Sequence, residues 1–144
     1  MSALPIRERI LQALATRINA QRGLEQYDAR DLPITVLVEG EDTAEEGDYD
    51  MVNVTMPVTI AYANNVAGTK ADSWYEQANT ALANLIQSVY TGGEDFGGLA
   101  QGVDYTGGDV AVLTDGATGY AVQAFFNIRY VFRHGDPFDN TEEV

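Results

Sequence analysis

Two long stretches of this chain alternate apolar and polar residues with a period of two. Across 51–62, Val52, Val54, Met56, Val58, Ile60 and Tyr62 fall on one side, and Asn53, Thr55, Pro57, Thr59 and Ala61 on the other. Across 120–132, Val122, Ala124, Phe126, Ile128, Tyr130 and Phe132 alternate with Gln123, Phe125, Asn127, Arg129 and Val131. That period predicts strands with one buried face. Ile34, Val36 and Val38 predict a short strand entered through Pro33, and 110–113 predicts another. Pro57 has no donor for a ladder, so the long strand is predicted to have a free or bulged edge there. Between the last two strands lies "TDGATG", in which Asp115-Gly116 is a hairpin signal.

Two segments instead follow the helical period. Pro5 at a first helical position precedes Ile6, Ile10, Leu11, Leu14 and Ile18, with Arg17 and Arg22 in the last turns and Gly23 as the stop. Asp72 or Ser73 is placed to cap a second helix carrying Trp74, Ala78, Ala81, Leu82, Leu85, Ile86 and Val89, which ends before Gly92-Gly93. A glycine-rich passage, "GGEDFGGLAQGVDYTGGD", follows it. The order predicts one α+β domain over 1–144. Its antiparallel sheet, with a mixed one also possible, has about four strands, and both helices pack on one face. The acidic end, "HGDPFDNTEEV" at 134–144, is predicted to be a mobile tail.

Charge changes the picture more than composition does. Eight Lys plus Arg against 22 Asp plus Glu give a net charge of −14 over 144 residues. Nucleic-acid affinity comes mostly from neutralising phosphates, so this chain should repel DNA. The acidity serves either solubility or a surface that must not hold passing nucleic acid. Cysteine is absent, which removes disulfides and thiolate chemistry. No apolar run is long enough to span a membrane, and the first residues do not read as a signal peptide. The expectation is an intracellular protein without a membrane partner.

The acids concentrate at 39–50, where seven of twelve residues are Asp or Glu: Glu39, Glu41, Asp42, Glu45, Glu46, Asp48 and Asp50. Set as a calcium loop with Gly47 at the turn position, the segment lacks an oxygen ligand at Ala44 and its final Glu at Asn53. It is read either as a solvated hinge or as an assembly surface. His134 has no serine in a nucleophile setting. Asp115-Gly116 lacks the Thr or Ser of an aspartic protease loop, and the glycine-rich passage lacks a Lys-Ser or Lys-Thr pair. The expectation is a non-enzyme without metal or cofactor. Phe125 and Val131, with Pro57 and Ala61, occupy the nominally polar strand faces. Either a second subunit covers them or the strands are buried on both sides. Arg129 and Arg133, on one face of the last strand, are the cations available to meet a neighbour's acids.

In order and texture the chain resembles the tail terminator proteins of long-tailed phages, also called tail completion or minor tail protein U type. The resemblance is carried by "LPIRERILQALATRI", "LPITVLVEGED" with "VTMPVTIAY", "ADSWYEQANTALANLIQSV", "FGGLAQGVDYTGGD" and "VQAFFNIRYVFRHGDP". It runs from Leu4 to Pro137. It implies a homo-hexameric ring on the tail tube protein that ends polymerisation and presents a surface to a head–tail connector or head-completion protein. Genome DNA would pass through without specific binding, and the protein would reside in the virion after assembly in the host cytoplasm. It supplies no catalytic residue. The contact candidates, Glu41, Asp42, Glu45, Glu46, Asp48, Asp50, Arg129 and Arg133, come from this sequence alone. The rival readings are a head-completion or head–tail joining neck protein, or a non-enzymatic intracellular binding module.

Overall fold

The structure, a computed structural model, describes residues 4–23, 32–113 and 119–141. In chain order the elements are α1 (Ile6–Ile18), β1 (Gln21–Arg22), β2 (Ile34–Glu39), β3 (Thr43–Glu46), β4 (Met51–Asn65), α2 (Ala71–Tyr90), β5 (Gly102–Leu113) and β6 (Gly119–Arg133). The fold is α+β with one sheet in the order β1-β2-β4-β6-β5, and β3 pairs with β4 off that path. All pairings are antiparallel except β1 with β2.

The sheet therefore has six strands rather than about four. β1 and β3 are two and four residues long and fully exposed, so neither carries the apolar alternation that would mark it. β5 begins at Gly102, eight residues ahead of the expected start, inside the glycine-rich passage. Small residues suit the packing there: a Cβ at Gly102 would displace the Arg129 guanidinium, and one at Gly108 would displace the Tyr105 hydroxyl. A bulge between Tyr105 and Gly107 keeps the rest in register. The expected Asp115-Gly116 turn lies outside the described residues, although the flanking positions, Leu113 and Gly119, pair across it.

β4 is the spine. Its whole length pairs with β6, while its other edge is shared: β2 covers 58–63 and β3 covers 52–55. Pro57 falls in the gap between the two partners, where no donor is wanted. The chain crosses that gap at Gly40, whose N–H donates to the Pro57 carbonyl at 2.8 Å. A Cβ at Gly40 would come within 3.0 Å of that same oxygen, so glycine fits the close approach.

Val54, Met56, Val58 and Ile60 of β4 and Ala124, Phe126 and Ile128 of β6 share a core with Ile6, Ile10, Leu11 and Leu14 of α1 and Ala78, Leu85 and Val89 of α2. α2 lies against β5 and β6, and α1 lies against α2. Directly paired residues project from the same sheet face, so the Leu37–Ile60 pairing puts Leu37 in the core. It also turns Ile34, Val36 and Val38, the trio that marks the strand in the sequence, to the outer face.

The helix ends differ from expectation in their stops and caps. α1 ends at Ile18, with Asn19 in the left-handed region (φ 53°, ψ 50°). Asn tolerates that conformation, and Gly23 instead follows β1. Pro5 sits one position before the helix. Neither Asp72 nor Ser73 caps α2. Among the described residues no side chain does so; the side-chain amide of Gln77 instead ties down the preceding loop, donating to the Ala67 carbonyl and accepting from the Ala67 N–H. The far end of α2 has no basic residue of its own. Arg17 of α1 supplies one, donating to the Val89 and Gly93 carbonyls at 2.8 and 2.7 Å and stacking 4.2 Å over Phe96. A cation there suits the helix dipole.

Residues 134–141, read in the sequence as the start of a mobile tail, are held by specific bonds. Ile6 N–H donates to Pro137, the Arg9 guanidinium to Phe138, and Arg133 N–H to Asp139. The Asn140 amide reaches Gly98.

The turn from β3 to β4 stores strain. Tyr49 and Asp50 both have positive φ (57° and 61°), and Met51 N–H closes on the Asp48 carbonyl at 3.1 Å. This is the type I′ form, which favours Asn-Gly. Replacing Tyr49-Asp50 by Asn-Gly should stabilise the protein by about 1–2 kcal/mol, because a left-handed non-glycine residue costs that order. A urea midpoint that rises measures it.

Candidate functional site

The acidic segment is not one loop. Glu39 ends β2, 40–42 cross the gap, Thr43 to Glu46 form β3, and 47–50 turn into β4. The structure divides its acids into two groups.

The first group is tied to the protein. Arg7, in the first turn of α1, donates through Nε to both Asp42 oxygens (3.1 and 3.0 Å), through a terminal nitrogen to Glu39, and through the other to the Gly40 carbonyl at 3.1 Å. All three nitrogens of one guanidinium thus grip the crossover. Asp42 also accepts from the Tyr130 hydroxyl at 3.1 Å. Arg22, placed by β1, bridges Glu39 to Glu8. Burial, reinforced by the Asp42 charge, pushes the Tyr130 hydroxyl far above its ordinary range. Asp42 is therefore a structural anchor of the crossover.

Arg7, Glu8 and Arg9 of "IRERI" each have a separate partner: the crossover, Arg22 and the Phe138 carbonyl. Sequence reading passed over this network. Its only signal is the density of charge in one helical turn, because the partners lie as far as 129 residues away.

These contacts give a pH dependence. The hydrogen bond from Arg22 holds the Glu8 carboxyl below its usual value. Burial works to raise that of Glu39, but hydrogen bonds from Arg22 and Arg7 outweigh it and the net shift is downward. Depressed carboxylates bind fewer protons folded than unfolded, so their stabilisation is complete above the unfolded value of about 4.3 and is lost as pH falls through the folded values. An Arg22→Gln variant should be less stable than wild type at pH 7. The difference in urea midpoint should shrink as pH falls below 4; a constant difference would contradict this.

The second group, Glu41, Glu45, Glu46, Asp48 and Asp50, is exposed, and its carboxylates have no cation among the described residues. Glu45 and Glu46 leave opposite faces of β3, and Asp48 and Asp50 flank Tyr49 at the hairpin tip. Tyr49 is 69% exposed.

Register places Arg129 and Arg133 together on the outer face of the sheet, with Phe125, Val131, Pro57 and Ala61. Phe125 lies opposite Thr59, and Val131 opposite Asn53. All four apolar residues are half-buried. Each arginine has an acid of its own chain: Arg129 Nε lies 2.9 Å from Asp104, and Arg133 lies 3.8 Å from Asp139. The Arg129 pair is about half exposed on both sides, and such pairs are worth little to stability.

Among the described residues, no group of three or more His, Cys, Asp or Glu side chains is arranged to hold a metal ion, and no helix is long and apolar enough to cross a membrane. Comparison with known proteins gives no match, either to a family model or to a curated sequence.

Proposed function

We propose that this chain is a structural subunit of a phage neck, of the tail terminator type, and that it is not an enzyme. Six copies form a ring on the tail tube protein, end its polymerisation, and offer the upper surface to a head–tail connector or head-completion protein. In this reading both helices cover the core face of the sheet. The outer face, with Phe125, Val131, Pro57 and Ala61, is the surface that neighbours complete. DNA traverses the ring without specific binding, and the ring contains no cofactor.

The near-whole-chain resemblance carries the proposal. An outer sheet face holding four half-buried apolar residues supports it, because such a face gains from being covered. The charge arrangement supports it as well. Every described arginine has a partner within its own chain, so the exposed acids dominate the exterior and disfavour phosphate binding.

The test is electron microscopy of particles from a phage with a nonsense mutation in this gene. Filled heads beside overlong, unattached tubes are expected. Free tails of normal length would move the role to head completion or joining, and intact infectious virions would end the neck reading.

A further inference from the structure

α2 sits over β5 and β6 and touches β4 only lightly. A groove of about 520 Å³ is left between α2 and the β2–β4 side of the sheet. Its floor holds Tyr62 and Tyr120, with ring centroids 6.2 Å apart. Leu85 lines it from α2, and Glu76, Thr80 and Asn84, one helical turn apart, form its exposed rim. Gln77, at one end, is taken up by its bonds to Ala67 in the preceding loop. The side chains of Thr80 and Asn84 make no hydrogen bond to described residues.

Glu76 is the one charged side chain among the described residues that line the groove. Among the described residues, anionic ligands would meet a carboxylate and no cation. A cation on a hydrocarbon stem matches each wall: the stem lies along Leu85, the charge faces a tyrosine ring, and Glu76 and the Asn84 carbonyl accept its hydrogen bonds. A planar guanidinium stacks on aromatic faces better than an ammonium does. The net charge of −14 also draws cations toward the molecule. We propose that this groove receives an arginine side chain presented by a partner protein. The inference does not rest on the neck reading, since a binding module of any kind could use such a slot.

The probe is N-acetyl-arginine amide, titrated into the full ¹⁵N-labelled chain, with N-acetyl-citrulline amide as its uncharged isostere. Amide shifts should move at Tyr62, Thr80, Asn84 and Tyr120, with a Kd on the order of millimolar, the scale of a single small-ligand contact. Citrulline should bind at least tenfold more weakly. Glu76→Gln, at an exposed position that leaves the fold intact, should weaken the arginine probe at least fivefold. Equal binding of the two probes would overturn the proposal. So would shifts centred on the 43–50 hairpin and indifferent to Glu76→Gln. Spermidine that shifts the same residues while the arginine probe does not would reassign the groove to free polyamines and overturn it as well.

Discussion

Replacing Asp42 with alanine should destabilise the protein by about 3 kcal/mol. The side chain accepts two bonds from Arg7 and one from Tyr130. Losing a charge-assisted hydrogen bond costs about 1.5–3 kcal/mol, and stranding a buried hydroxyl adds about 1–3. Tyr130 is 4% exposed and has no other acceptor within reach among its described bonds. Partial exposure of the Arg7 pair, about a quarter on each side chain, argues for the lower part of the combined range. At about 3 °C per kcal/mol for a chain of this size, the melting temperature should fall by roughly 10 °C. Glu45→Gln and Glu46→Gln, on exposed carboxylates without a cation among the described residues, should change it by no more than a degree or two. Calorimetry of the three variants decides. If Asp42→Ala melts with wild type, the crossover is not held by this anchor, and Asp42 returns to the pool of surface acids.

On the ring reading proposed above, Phe125→Lys should leave the monomer folded and abolish assembly. Phe125 projects from the outer face opposite Thr59, beside the glycine at 107, so a lysine there can reach solvent and will meet the nearby acids Asp104 and Asp109. In a covered interface the same change loses about 1.5–3 kcal/mol of apolar burial at every subunit contact and buries an unpaired charge. That amounts to more than tenfold per contact. The measurement is capping of purified tail tubes by the variant, with its melting curve as a control. Loss of capping with an unchanged melt supports the interface. A collapse of monomer stability would mean that the strand is buried on both faces within one chain, and normal capping would remove Phe125 from the contact.

The same division governs how far sequence reading reached. The period-two alternation of 51–62 and 120–132 placed Val54, Met56, Val58 and Ile60 of β4 and Val122, Ala124, Phe126, Ile128 and Tyr130 of β6 on the buried side, although Met51, at the opposite parity, is buried as well. It could do so because alternation depends only on neighbours along the chain. The helical stripes of α1 and α2 were legible for the same reason. Pro57 gave away a gap in the sheet edge, because a missing donor is a local fact with a long-range consequence. Absent cysteines and the net charge were fixed by counting.

What composition suggested about the acids was coarser. Seven carboxylates between 39 and 50 look alike in one dimension. Their fates separate because Arg7 lies 35 residues from Asp42, and Tyr130 lies 88 residues from it. Glu39 and Asp42 became the hold on a crossover, while Glu41, Glu45, Glu46, Asp48 and Asp50 remained outward charge. Likewise, Arg129 and Arg133 were placed on one face by alternation, but only β5 and the returning tail gave them Asp104 and Asp139. β1 and β3 are too short to carry a period and are held by their partners. The amphipathic pattern alone thus determined which face of each long element is buried. Pairing between distant segments decided which charges stay free, because those energies arise from groups that meet only after the chain has folded.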